Sequence, residues 1–112
     1  MTVDVYEQYF AAEAEFSGVV RRGAKVTLTS DSCGGEISYT AAVTFFPHRA
    51  EDDYAVSYDA YFQQELYRAK GRRSKKREAA LLAALPEEID RLCAEHGARV
   101  LWDRPLREAR MG

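Results

Sequence analysis

Between Ile37 and Phe45 an apolar or aromatic residue stands at every second position. Ile37, Tyr39, Ala41, Val43 and Phe45 face one way, and Ser38, Thr40, Ala42 and Thr44 face the other. A period of two is the side-chain alternation of a strand, and one apolar face beside one polar face describes an antiparallel strand buried on a single side. Pro47 stops the run, because it has no N–H to give to a ladder. Such a strand cannot stand alone, so the chain has to build a sheet around it.

Neighbouring segments supply candidates for its partners. Lys25-Val26-Thr27-Leu28-Thr29 also alternates, and Arg21-Arg22-Gly23-Ala24 before it reads as a hairpin turn. Ser30-Asp31-Ser32-Cys33-Gly34-Gly35 is a run of turn formers whose glycines accept positive φ. After a polar connection over 47–53, Tyr54, Val56, Tyr58, Ala60 and Phe62 fall on one face of a long strand expected to pair with 36–46. A helix would instead stack Tyr54, Tyr58, Tyr61, Phe62 and Leu66; the aromatic and β-branched content favours the strand, and Gln63-Gln64-Glu65 weakens the pattern beyond it. The first residues read two ways. Asp4 with Glu7, and Val5, Tyr6, Tyr9, Phe10 and Ala12, suit a short helix or extended arm, whereas Ala12 to Phe16 alternates as a strand that would continue to Val20.

A helix over about 74–96 is the clearest element. Ser74 is a good N-cap, and Leu81, Leu82, Leu85, Ile89, Leu92 and Cys93 keep one apolar face over several turns. Pro86 is expected to kink this helix or to start a second one, and Gly97 to end it. Arg99-Val100-Leu101-Trp102 then reads as a short closing strand, with Asp103 and Pro105 as a helix start in the tail. The expected architecture is α+β in a single domain, 1–112: a mostly antiparallel sheet of about four strands, a kinked helix on one face and a short final strand.

Composition narrows the function classes. With 46% hydrophobic and 30% charged residues the chain has the makings of a packed core and not of a disordered tail. Its apolar runs are too short for a transmembrane helix, and Met1 to Glu7 lacks the charged and apolar regions of a signal peptide, so the cytoplasm is the expected compartment. Cys33 and Cys93 form no disulfide framework and no zinc spacing, which makes two reduced thiols the expectation. Cys33 lies in a Gly-rich turn, but a nucleophile needs a base, and neither His48 nor His96 is linked to it locally. His48 near Asp52 and Asp53 matches no metal-site spacing. His96 suits a helix C-terminus, Cys93 the helix core, and Trp102 a core anchor. The chain carries no Walker loop, dinucleotide fingerprint or paired catalytic carboxylates. A non-enzymatic protein without a cofactor is the consequence.

The charge distribution supplies the one feature that asks for a function. Residues 1–67 hold eleven acids and four bases, a formal −7, and residues 68–112 hold seven acids and twelve bases, +5, which together give the overall −2. Within the second part, Arg68 to Arg77 carries seven bases and no acid. If Ser74 caps the helix, Lys75, Lys76 and Arg77 fill its first turn, beside the positive end of the macrodipole, where each cation is unfavourable by roughly 0.3–1 kcal/mol. Free N–H groups and cations gathered at one spot are what a phosphate site requires. The expectation is a binding protein whose segment 68–77 contacts nucleic acid or a nucleoprotein through Arg72, Arg73, Lys75, Lys76 and Arg77, with Ser74 capping and donating. Tyr61 and Tyr67 would stack on bases if exposed. The plainer reading pairs these cations with the acid-rich first part of the same chain. A second reading uses Glu13, Glu15, Glu51, Asp52, Asp53, Asp59 and Glu65 as an acidic sheet surface that occupies an effector protein, in the manner of nucleic-acid mimics that inhibit defence nucleases. An exposed strand edge would also suit a homodimer.

Overall fold

The computed structural model describes residues 2–16, 18–46 and 60–106. Among these residues five strands and one helix follow in the order β1 (Thr2–Phe16), β2 (Val19–Cys33), β3 (Glu36–Phe46), β4 (Ala60–Lys70), α1 (Lys75–Ala94) and β5 (Arg99–Val100). The sheet runs β4-β3-β2-β1-β5, with every described pairing antiparallel. A strand forms over 36–46 as the alternation predicts, although Ser38 and Ala42 on its second face are buried as well. It pairs with the strand that follows, from Glu36 opposite Lys70 to Phe45 opposite Ala60; of the expected partner 54–62, the described residues Ala60 to Phe62 lie in that strand. The expected connection over 47–53, and residues 54–59 of the expected strand, lie outside the described residues.

The apolar faces of the four long strands and of α1 make one core. Val26 and Leu28 meet Val43 and Ala41 across the β2–β3 ladder, and Tyr6 and Phe10 extend the layer onto β1. Leu85, Ile89, Leu92 and Cys93 close it from the helix, as their spacing predicts. Because α1 connects β4 at one sheet edge to β5 at the other, it has to cross the sheet, and this crossing covers the core.

Several expectations give way. No N-terminal helix forms: Asp4 to Ala12 belongs to β1. A register shift between Asp4 and Tyr6 places a β-bulge there, so the consecutive residues Val5 and Tyr6 are both buried, and this doublet is what imitates a helical period. Arg21-Arg22-Gly23-Ala24 is not a turn but the interior of β2, with Gly23 opposite Ala11 and Phe46. The turn sits earlier, at Gly18 with φ +76°. Arg21, expected in that turn, is buried, its Nη1 donating to the carbonyls of Phe16 and Val19. Ser30 to Cys33 continue β2, and only Gly34 and Gly35 make the turn. The Gln63–Glu65 stretch stays in β4, which continues to Lys70.

The helix is unbroken through Pro86, so a second helix does not start there. Gly97, φ +69°, ends it: the Ala98 amide reaches the Cys93 carbonyl and the Gly97 amide the Ala94 carbonyl, the paired bonds of a Schellman ending. Residues 101–106 form no helix start. They lie along the free edge of β1, where Leu101 N donates to Ala11 O, Ala11 N to Asp103 Oδ1, and Gln8 Nε2 to Pro105 O. Among the described residues no helix is long and apolar enough to cross a membrane.

Candidate nucleic-acid interface

The basic run begins as strand. Arg68, Ala69 and Lys70 pair with Ser38, Ile37 and Glu36, and Gly71 extends the contact by donating its N–H to the carbonyl of Gly35 in the β2–β3 turn, 2.9 Å away. Gly71 has φ +130°, which a side chain would resist, so the glycine allows the sharp departure from the sheet. Arg72 and Arg73 span the gap, and Ser74 caps α1 as predicted, its hydroxyl oxygen accepting from the Arg77 amide at 3.2 Å.

What anchors this junction is a carboxylate that sequence reasoning missed. Glu78, one of the few buried charged residues, is held by Arg73 in a bidentate pair, Nε to Oε2 at 2.9 Å and Nη2 to Oε1 at 3.0 Å. The Tyr39 hydroxyl donates to Glu78 Oε2 at 2.8 Å and accepts from the Ser74 amide at 3.3 Å. The Arg73 hydrogen bonds hold the Glu78 carboxyl below its ordinary range although burial opposes this, and burial, followed by the bond to Glu78, pushes the Tyr39 phenol up. A protonated Tyr39 and an ionised Glu78 therefore tie the helix start to the middle of the sheet. The acid following seven bases, one turn ahead of Leu82 and two ahead of Leu85 on the apolar stripe, is the signal that marks Glu78 in the sequence.

The bases of the run, the predicted contacts Arg72, Arg73, Lys75, Lys76 and Arg77 among them, separate into two groups. Arg73 is consumed by Glu78, and Arg77 lies over the Tyr67 ring, 4.3 Å from its centroid. Arg68, earlier in the run, pairs with Glu65 and Glu36, which is the plainer intramolecular reading realised for one residue. Lys70, Arg72, Lys75 and Lys76 are exposed and make no ion pair with another described residue. The strand end, the connection and the first helical turn thus bring four open cations together. The acid in the first turn, Glu78, offsets part of the unfavourable interaction of Lys75 and Lys76 with the helix dipole.

Tyr61 and Tyr67 do not serve the cluster as stacking partners. Tyr67 is half-buried between Arg77 and Tyr39, whose ring centroid is 6.1 Å away. Tyr61 is exposed, but it stands opposite Thr44 at the other end of β4, nine residues from Lys70 and so roughly 30 Å away at a strand's rise. The acids proposed for a negative surface are also dispersed. Glu13 on β1 pairs with Arg99 and Glu65 on β4 with Arg68, with β2 and β3 between those strands. Glu51, Asp52, Asp53 and Asp59 lie outside the described residues, as does His48.

Cys33 is exposed at the end of β2, while His96 stacks on Phe62 at 3.9 Å, opposite Val43 and seven β3 positions from the partner of Cys33. Cys93 is core, and Trp102 packs edge-on against Phe10 at 4.9 Å while its indole N–H donates to Asp90. No group of three His, Cys, Asp or Glu side chains suited to a metal occurs among the described residues. Comparison of the chain with protein-family models, curated proteins and solved structures finds no match.

Proposed function

We propose that this protein is a non-enzymatic binding module whose basic surface, Lys70, Arg72, Lys75 and Lys76, contacts the phosphates of a nucleic acid or nucleoprotein. The observation that carries the reading is that these four exposed cations make no ion pair with another described residue, while the neighbouring Arg68 and Arg73 do. The positive end of the helix dipole adds to the attraction for phosphate oxygen. Arg73 is a positioning residue in this scheme, because it acts through Glu78. Arg77, stacked on Tyr67, borders the surface.

Fluorescence anisotropy of labelled DNA and RNA oligomers at low and moderate salt tests the proposal. The native chain is compared with a variant carrying Lys70→Ala, Arg72→Ala, Lys75→Ala and Lys76→Ala, which leaves the Arg73–Glu78 pair intact. Micromolar binding that weakens with salt and disappears in the variant is expected. A native chain that binds no oligomer at low salt would overturn the reading and direct attention to a protein partner.

A further inference from the structure

Because the aromatic rings of the described residues are covered or stand away from these cations, we infer that the partner is the phosphate backbone of a duplex and not an unstacked single strand, an inference that rests on the nucleic-acid reading above. Sequence-independent binding of single strands depends on aromatic rings that receive bases, each worth about 1–3 kcal/mol. Tyr67, on β4 three residues before Lys70, is already covered, by the Arg77 guanidinium and by the buried Tyr39. The exposed tyrosines of the described residues are elsewhere: Tyr9 stands opposite Lys25, Lys25 opposite Thr44, and Thr44 opposite Tyr61, so both lie in one row at the far end of the sheet. Phe10 and Trp102 occupy each other on the β1 side.

What the junction does offer is rigid charge. Lys70 belongs to a paired strand, Lys75 and Lys76 to a capped helix, and the Arg73–Glu78–Tyr39 bonds lock the two elements together. A duplex presents a stiff array of phosphates from both strands, about one charge per 1.7 Å of axis, and cations borne on a fixed backbone meet it with little loss of main-chain freedom. A flexible single strand would have to be ordered without stacking energy to offset the cost. Contacts of this kind position a protein on a duplex and carry no base preference.

The test measures anisotropy of the full chain with a labelled duplex of about twenty base pairs, one of its single strands, and a second duplex of unrelated sequence. Expected are a duplex affinity equal to or above that of the single strand and agreement of the two duplexes within about twofold. If all four cations contact phosphate, the duplex affinity should fall about 100-fold between roughly 50 and 200 mM salt, from a logarithmic slope near −3.6. Tyr61→Ala should bind as the native chain does. A single strand bound about tenfold more tightly than the duplex, or a marked loss in Tyr61→Ala, would overturn the inference while leaving the phosphate surface in place. No binding of any probe at low salt would overturn the surface itself, and this inference with it.

Discussion

Glu78, with 3% of its surface exposed, keeps its charge because Arg73 and Tyr39 satisfy both carboxylate oxygens. Arg73→Ala leaves that carboxylate buried without its cation, and a loss of about 3 kcal/mol is expected in urea unfolding at neutral pH. The loss depends on pH. The folded-state carboxyl titrates below its ordinary range, chiefly through Arg73, whereas in the unfolded chain it returns to that range. The stabilisation from the pair is complete above the ordinary glutamate range and fades as pH falls through the folded-state value. The difference between native and Arg73→Ala should therefore shrink when unfolding is repeated at about pH 3. The cysteines give a second prediction at this scale. Burial, with a smaller effect of Asp90, pushes the Cys93 thiol up to about 11, while Cys33 is exposed. A thiol reagent at mildly alkaline pH should label Cys33 in the native protein and reach Cys93 only on unfolding.

The helix and the tail show how single residues set the limits of elements. Ser74→Ala removes the acceptor of the Arg77 amide and should lower stability by about 1 kcal/mol, read by far-ultraviolet circular dichroism during thermal unfolding. Pro86 lies inside a continuous helix and cannot donate to the carbonyl of Leu82. Pro86→Ala restores that donor, and a gain of about 1 kcal/mol is expected in the same measurement. The tail acts on a strand edge. Asp103 takes the place of a backbone carbonyl for Ala11, and this bond is the main cause that holds its carboxyl below the ordinary aspartate range. In Asp103→Ala the Ala11 amide should exchange with solvent faster, while amides at the centre of the β2–β3 ladder remain as protected as in the native chain.

Across the whole molecule the polarised charge is partly neutralised by topology. Arg68 and Arg99 belong to the basic part of the sequence, and they pair with Glu36, Glu65 and Glu13 of the acidic part. The cations at the β4–α1 junction that make no such pair among the described residues are the basis of the proposed surface. The same topology ties the core together, since α1 runs from one sheet edge to the other and β5 closes on β1. Trp102, the chain's one tryptophan, packs on Phe10 of β1 and bonds Asp90 of the helix. Its fluorescence should change together with the circular dichroism of the helix in a single urea transition.

Period and punctuation alone determined much of this protein: the β3 strand from its alternation, its partner after Pro47, the helix from Ser74 to its Gly97 ending, and the short strand behind it. These depend on local geometry, which a sequence window contains. Tertiary structure decided the rest. The doublet Val5–Tyr6 reads as helical until a bulge in the β1–β2 ladder turns both residues inward. Arg21 reads as a turn residue until the carbonyls of Phe16 and Val19, at the ends of the strands flanking the Gly18 turn, receive its guanidinium. The basic run reads as one uniform patch until Glu36, Glu65, Glu78 and Tyr67 claim particular members of it. Whether a charge meets a partner or the solvent depends on which strands become neighbours. That is set by the packing of the whole chain and is written in no single stretch of it.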